Sequence, residues 1–326
     1  MDETAIRAFF EKDQFAKQCG IAIDEVSEQL TLKACTLCPR ACGVNREEGK
    51  MGYCHESVQL VVGRAALHHW EEPCVSGSKG SGAVFFSGCT MGCVFCQNYH
   101  LAHGETGKAI SIQRLAQIFI ELQEQGAHNI NLVTPTHYTL QIIEALKIAK
   151  KQGLYIPVVY NCSGYEKVET LKALEGLVQV YLPDFKYVDE ALALKYSNAP
   201  HYFEYASKGV AEMLRQVGEV QLDEEGIIQK GVIVRHLMLP GQLMDSKAVV
   251  RHLLETFGHK IWVSLMNQYT PLEQVAPYPE LNRKVTKKAY NRLIDFALEL
   301  GLENGFIQEG ETAKESFIPL FNGEGV

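Results

Sequence analysis

Ser87-Gly88-Cys89-Thr90-Met91-Gly92-Cys93-Val94-Phe95-Cys96-Gln97-Asn98 decides how the rest of the chain is read. Its three cysteines, spaced Cys-x3-Cys-x2-Cys, follow an apolar run, Ala83-Val84-Phe85-Phe86. Three thiolates on one short loop can ligate three irons of a cubic [4Fe–4S] cluster. Ferredoxin-type clusters use four cysteines, so a set of three leaves one iron open for chemistry rather than for electron storage alone. The competing readings are a zinc site and buried structural cysteines. Zinc needs a fourth ligand to close its tetrahedron, and the adjoining sequence offers no obvious one.

At 326 residues, 46% of them hydrophobic, the chain can hold one large domain and a small extension. It contains no continuous apolar span long enough for a membrane helix. Met1-Asp2-Glu3-Thr4 lacks the basic flank and apolar core of a signal peptide, so a cytoplasmic protein is expected. The net charge of −8 and the lack of a Lys/Arg run argue against nucleic-acid and anionic-membrane partners. In such a chain, clustered cysteines read as metal ligands rather than disulfides.

A second cysteine group lies upstream: Cys35, Cys38, Cys42 and Cys54, spaced Cys-x2-Cys-x3-Cys-x11-Cys. Pro39, Gly43, Gly49 and Gly52 bend the backbone around it. Four thiolates suit either zinc or an iron–sulfur cluster. His55 next to Cys54 is read as a surface residue, Cys74 as a lone buried cysteine, and Glu71-Glu72 as a solvated pair of charges.

From residue 83 the pattern alternates apolar strands with amphipathic helices. Strands are expected at 83–87, 129–133, 156–160, 178–182, 231–239 and 261–266, and helices near 111–125, 138–152, 165–174, 189–197, 245–257 and 285–300. Ser111 and Ser163 suit N-caps, as does Thr136. Such alternation implies an α/β fold with a parallel sheet and right-handed crossovers. Six units are too few for a closed eight-stranded barrel. The expected layout is a helical extension at 1–33, containing a strand-like piece at Gly20 to Val26, then a cysteine-rich segment and bridge at 34–82, a partial barrel at 83–302 and a tail at 303–326. The segment 201–230 is read as a helix plus the acidic loop Asp223-Glu224-Glu225-Gly226.

The Cys-x3-Cys-x2-Cys loop, with Phe95 before its last cysteine, resembles the signature of the radical S-adenosylmethionine (radical SAM) superfamily. Phe95-Cys96-Gln97-Asn98 and Cys35-x-Leu37-Cys38-Pro39-x-x-Cys42-Gly43 resemble the branch related to pyruvate formate-lyase activating enzymes. The likeness covers about 34–326 and implies a (β/α)6 partial barrel. It implies a cluster on Cys89, Cys93 and Cys96 whose open iron binds SAM, reductive cleavage of SAM, and hydrogen abstraction by the 5′-deoxyadenosyl radical. It also implies a low-potential donor such as flavodoxin or ferredoxin. A glycine of a glycyl-radical enzyme is the substrate that this branch suggests; another protein, a peptide or a small molecule is the alternative. At Cys35–Cys54 the resemblance favours an auxiliary cluster over zinc. The residues alone leave open a non-enzymatic iron–sulfur electron carrier and a zinc-stabilised interaction module.

Ligands in barrel-like folds gather at the C-terminal ends of strands. The second expected strand ends at Val133-Thr134-Pro135-Thr136-His137, where many relatives carry Gly-Gly-Glu to hold the amino group of SAM. Thr134 and Thr136 offer hydroxyls and carbonyls instead. Asn161 ends the third strand, as a hydrogen-bonding group for SAM or as an Asx turn. Asp184-x-Lys186 ends the fourth and resembles the activase pattern. Alternation sets both side chains on one face; Lys186 is expected on the SAM carboxylate and Asp184 as its orienting partner or a cation ligand. On the fifth, Arg235 shares a face with Leu237 and can fork to a carboxylate, while His236 faces the other way. On the sixth, Asn267 and Gln268 are expected at the nucleoside, with Tyr269 stacking.

Overall fold

Residues 81–86 are buried along their whole length in β2 (Ser81–Phe86), as a parallel strand covered on both faces must be. The computed structural model describes residues 30–308, 319 and 321–326, and the chain divides into Met1–Leu30 and Thr31–Val326. The expected strand-like piece at 20–26, and all but the end of the expected helical extension, lie outside the described residues.

Among the described residues the sheet around β2 carries ten strands in the order β10-β9-β8-β6-β5-β4-β2-β1-β3, with β7 off this path on β8. They are β1 (Leu60–His68), β3 (Lys108–Ile110), β4 (Ile130–Val133), β5 (Val158–Cys162), β6 (Val180–Pro183), β7 (Gln221–Leu222), β8 (Ile228–Leu237), β9 (Trp262–Met266) and β10 (Gly305–Ile307). From β2 to β10 every neighbouring pair on this path is parallel. Each strand of the series β2-β4-β5-β6-β8-β9 lies beside the one before it. That is the sequential winding of a partial (β/α)6 barrel, not of a doubly wound sheet with a switch point.

Helices α1 (Ile112–Glu124), α2 (Thr139–Lys151), α3 (Val168–Lys172), α4 (Glu190–Ser197), α5 (Tyr202–Val217), α6 (Leu243–Phe257) and α7 (Lys287–Glu299) connect the strands. Ser111 caps α1 as expected, accepting the Arg114 N–H at 3.0 Å. The cap assigned to Ser163 is not formed: α3 starts at Val168, after Lys167. Nor does Thr136 cap α2, whose N-cap is Tyr138 without a side-chain bond.

Strand alternation divides the core in two. Val158, Tyr160, Tyr181, Val232, Val234, Val263 and Leu265 pack with the helices. Val159, Val180, Leu182 and Ile233 point the other way, against Cys74 and Val75. The short helix Pro73–Ser76 therefore plugs the barrel interior, and the Asn129 amide donates to the Val75 carbonyl at 2.8 Å. Cys74 is buried, as expected.

Further features go beyond or depart from the sequence reading. The segment read as a bridge contains β1, antiparallel to β2 with a register shift between Val62 and Arg64. The third expected strand, 156–160, is displaced to Val158–Cys162, which takes Asn161 out of a turn and into the sheet. The C-terminal residues run along β1: the Ala65 N–H donates to the Glu324 carbonyl at 2.9 Å, and Arg64 pairs with Glu324 at 2.9 Å. Helix α5 and the Asp223 loop, in which Asp223 accepts the N–H groups of Glu225 and Ile227, match the expectation for 201–230, but that segment also holds β7 and the start of β8, which begins three residues before the expected 231.

Candidate active site

The cysteine loop leaves β2 at its C-terminal end, where Gly88 and Gly92 allow an approach that no side chain permits. A Cβ on Gly88 (φ +81) would lie 2.4 Å from the Cys54 carbonyl oxygen, and one on Gly92 (φ +144) 2.8 Å from the Tyr53 hydroxyl. The loop is thus laid directly on the upstream cysteine segment. Burial pushes the Cys96 thiol up to about 12, with the Cys93 charge adding to the effect. Cys89 is raised by burial and by the charges of Cys93 and Cys96. Burial also raises Cys93, against the opposing pull of the Lys186 ammonium and a hydrogen bond from the Ser197 hydroxyl at 3.0 Å. Three buried thiols, two of them raised further by charge on their neighbours, form a donor set that a bound cationic group would satisfy. Among the described residues no three His, Cys, Asp or Glu side chains converge as donors on one metal ion. A cubane takes its thiolates on separate irons and so does not require such convergence.

Beyond the loop, the strand ends carry one hydrogen-bonded network. Arg235 donates from Nε to Asp184 at 3.0 Å, from Nη1 to Glu71 at 3.1 Å and from Nη2 to Asn161 at 2.6 Å. Lys186 donates to the second Asp184 oxygen at 2.6 Å. Asn131 and Asn161 both donate to Glu71 Oε1, at 3.0 and 3.3 Å. Burial pushes the Asp184 carboxyl up, but the Lys186 and Arg235 cations outweigh it and hold it below the usual carboxylate range. Burial opposes the charge on Lys186, yet Asp184 and Cys93 keep its pKa raised. The structure therefore brings together Asn161, Asp184, Lys186 and Arg235, and links them electrostatically to Cys93.

Glu71 is the residue that the sequence reading missed. Its side chain is 9% exposed in its ion pair with Arg235, so Glu71-Glu72 is not a solvated pair. Glu72 is buried as well, with its carboxyl raised by desolvation and one oxygen without a hydrogen-bond partner among the described residues. The plug that closes the barrel interior thus also delivers two carboxylates toward Arg235.

Of the other expected site residues, Thr134 meets this network through its backbone, while Thr136 and Asn267 bond elsewhere. Thr134 has φ 59, a left-handed backbone that a β-branched residue adopts at a cost of about 1–3 kcal/mol. Its N–H donates to the Asn161 carbonyl at 2.9 Å. Thr136 is buried, its hydroxyl bound to Glu166 at 2.8 Å. Burial pushes the Glu166 carboxyl up to about 8. The Asn267 N–H donates to Gln308 Oε1 at 3.0 Å. Tyr269 is buried rather than displayed for stacking, its hydroxyl donating to the Leu281 carbonyl at 2.7 Å. His236 faces the helices and donates to the Phe185 carbonyl at 2.8 Å. The Cys96 end of the loop is tied to the segment after β9: Gln97 donates to the Gln268 carbonyl at 3.1 Å and Gln274 to the Cys96 carbonyl at 2.9 Å.

His137 fastens the start of the cysteine loop, its Nε2 2.6 Å from the Ser87 carbonyl. Burial lowers its pKa to about 3, so the neutral ring donates. The unfolded chain takes up a proton near pH 6.5 that the folded chain refuses until about pH 3. Stability therefore falls as pH drops through that window. His137→Gln preserves a donor and removes the titration. In thermal unfolding of the metal-free protein, the drop in Tm between pH 7 and pH 5 is expected to be smaller in H137Q than in wild type. An equal drop counts against this assignment.

The upstream group forms a tight turn: the Cys35 N–H donates to the Val44 carbonyl, and the Ala41 N–H to the Cys38 carbonyl, each at 3.0 Å. Cys35, Cys38 and Cys54 are buried and Cys42 is exposed. A Cβ on Gly52 would lie 3.3 Å from the Cys42 sulfur and 3.4 Å from that of Cys54, which places those two thiols around one point. Burial raises Cys38 to about 12, and the charges of Cys54 and Cys35 add to it. His55 is exposed, as expected. The buried Arg46 braces the turn, donating to the Ser57 carbonyl at 2.6 Å and the His137 carbonyl at 2.5 Å.

A partial barrel with a three-cysteine loop after its first parallel strand defines a class: the chain belongs to the radical SAM superfamily, whose family model matches residues 83–253. It is 29% identical over 280 residues to an uncharacterized protein of Methanocaldococcus jannaschii, covering 83% of this chain and 76% of that one. Among solved structures it is similar to Streptococcus suis SuiB bound to its precursor peptide SuiA, with 16% identity, a TM-score of 0.47 and coverage of 68% of this chain. It spans 46%, just under half, of SuiB. A radical SAM methyltransferase from Sphaerobacter thermophilus gives 15% identity, a TM-score of 0.49 and coverage of 70% and 66% of the two chains. A domain of pyruvate-formate lyase-activating enzyme from Bacteroides vulgatus gives 15% identity, a TM-score of 0.38 and coverage of 53% and 92%. Membership implies enzymatic radical chemistry with a [4Fe–4S] cluster and SAM. Among the described residues no helix is long and apolar enough to cross a membrane.

Proposed function

We propose that this chain holds a [4Fe–4S] cluster on Cys89, Cys93 and Cys96, cleaves SAM there reductively, and abstracts a hydrogen atom from its substrate. The observation that carries this reading is the meeting of the three-cysteine loop with the buried Asn161–Asp184–Lys186–Arg235–Glu71 network. When bound, the cluster supplies the electron that breaks a carbon–sulfur bond of SAM and so releases the 5′-deoxyadenosyl radical. The protein's share is to bind, orient and exclude water. Lys186 offers its ammonium to the SAM carboxylate, steadied by Asp184. Arg235 has Nε, Nη1 and Nη2 engaged by Asp184, Glu71 and Asn161. Its role in this reading is to fix those side chains rather than to fork to a ligand. Thr134, on its strained backbone, and Asn267 are assigned as further SAM contacts in this reading.

Within this reading the substrate is a glycine of a glycyl-radical enzyme, as the activase-like Asp184-x-Lys186 suggests, and the electron comes from a flavodoxin or ferredoxin. The Cys35, Cys38, Cys42 and Cys54 group is assigned a second metal, with iron–sulfur favoured over zinc. The test is anaerobic reconstitution followed by incubation with dithionite and SAM. The expected result is 5′-deoxyadenosine and methionine; iron without SAM binding or 5′-deoxyadenosine makes the chain an electron carrier instead. Adding candidate glycyl-radical enzymes and recording the organic radical by electron paramagnetic resonance (EPR) tests the substrate separately.

A further inference from the structure

Arg40 stands between two cysteines of the upstream group, yet its side chain serves the other cysteine loop. Its Nε donates to the Thr90 carbonyl at 2.8 Å and its Nη2 to the Met91 carbonyl at 3.3 Å, both between Cys89 and Cys93. The same guanidinium donates to the carbonyls of Ser197, at 3.3 Å, and Asn198, where α4 ends. Ser197 in turn bonds the Cys93 sulfur through its hydroxyl. Tyr53, which precedes Cys54, lies flat beneath the guanidinium with its ring centre 3.7 Å away. Its hydroxyl receives the Asn198 amide at 3.1 Å and closes the approach to Gly92. One half-buried cation therefore gathers four carbonyls from two separate elements: two from the span between Cys89 and Cys93, and two from Ser197, which bonds Cys93, and its neighbour Asn198. A planar fork of five donors can do this; a single ammonium cannot.

We infer that Arg40 is a positioning residue through which the upstream cysteine segment sets the geometry and the reduction potential of the Cys89–Cys93–Cys96 site. The inference rests on the cluster reading proposed above. Held by Arg40, the Thr90 and Met91 carbonyls keep their negative ends on the cation instead of turning toward the thiolates. A cation beside the loop also favours the state with one more electron. Losing Arg40 removes both effects, and both losses disfavour reduction.

The experiment uses the full chain, anaerobically reconstituted, as wild type, Arg40→Gln, Arg40→Lys and Thr170→Val. Thr170 is the control because its hydroxyl anchors the same upstream segment to α3, donating to the Leu37 carbonyl at 2.7 Å, without touching the cysteine loop. Iron and sulfide are counted, and the SAM-responsive EPR signal is titrated against potential. R40Q is expected to retain iron and to lower the equilibrium constant for one-electron reduction about tenfold, equal to about 59 mV. R40K keeps the charge without the fork and falls between R40Q and wild type, while T170V titrates as wild type does. If R40Q does not hold iron, the R40K shift carries the comparison. A wild-type potential in R40Q, or in R40K where R40Q lacks iron, overturns the inference, as does an equal shift in T170V. A wild type without any SAM-responsive signal overturns the cluster reading as well, so the two failures are distinguishable.

Discussion

Cys93→Ala yields a folded protein that forms no 5′-deoxyadenosine from SAM and dithionite. Of the three loop cysteines, Cys93 is the one tied most closely to the strand-end network. Its thiol receives the Ser197 hydroxyl and faces the Lys186 charge. The substitution removes one sulfur from a buried position, a small volume change whose cost to the fold is about 1 kcal/mol. Its cost to chemistry is of another order. Changes one shell out from a metal already lower affinity or activity by about 10–100-fold, and loss of one of the three proposed ligands should exceed that. Cys74→Ala is the matched control, because Cys74 is equally a buried cysteine but packs in the barrel interior with Val159 and Leu182. The expected pair of results is turnover below one hundredth of wild type in C93A and near wild type in C74A, with product measured by chromatography. Persisting cleavage in C93A would mean that the cysteine loop is not the site.

What could be read along the chain was what depends on near neighbours. The six parallel strands of the barrel show as apolar runs because both their faces are covered, and the loop spacing from Cys89 to Cys96 is local by nature. Strand alternation sets Asp184 and Lys186 on one face; both lie just past the end of β6, and their 2.6 Å contact agrees with that reading. What escaped reading depends on distant partners. Glu71 looks like half of a charged pair in a loop; its partner Arg235 is 164 residues away. β1 escaped because Gly63 and Arg64 interrupt its apolar pattern where its pairing with β2 shifts register. The strand at Val158–Cys162 was placed two residues early because Asn161 has the character of a turn residue, whereas its amide is consumed by Glu71 and Arg235. Tyr269 read as a stacking platform because a strand end is where rings are displayed; the Leu281 carbonyl that holds its hydroxyl belongs to a later turn.

Arg235→Ala is expected to destabilise the fold by about 3–5 kcal/mol, the range for removing one partner of a buried ion pair. Arg235 is 15% exposed and faces Glu71 and Asp184, which are 9% and 19% exposed. Burial opposes its charge, yet the carboxylates of Asp184, Glu71 and Glu72 hold its pKa above the ordinary arginine value. Once it is gone, Glu71 retains the amides of Asn131 and Asn161 but loses its cation, and Asp184 keeps Lys186 alone. The penalty is mainly the cost of leaving charge buried without a partner, not the worth of the contacts themselves. That distinction has a measurable consequence. If the stranded Glu71 carboxylate is the cause, neutralising it by Glu71→Gln in the R235A background should restore part of the loss. The coupling should lie in the range of about 0.5–3 kcal/mol found for residues in one network. Urea unfolding of wild type, E71Q, R235A and the double variant closes the cycle. Additive effects of the two substitutions would mean that the plug and β8 are not coupled through this pair. Coupling of the expected sign would make the Trp70–Gly77 segment part of the site's framework, since it is the plug that brings Glu71 to the residue holding Asp184 beside Lys186.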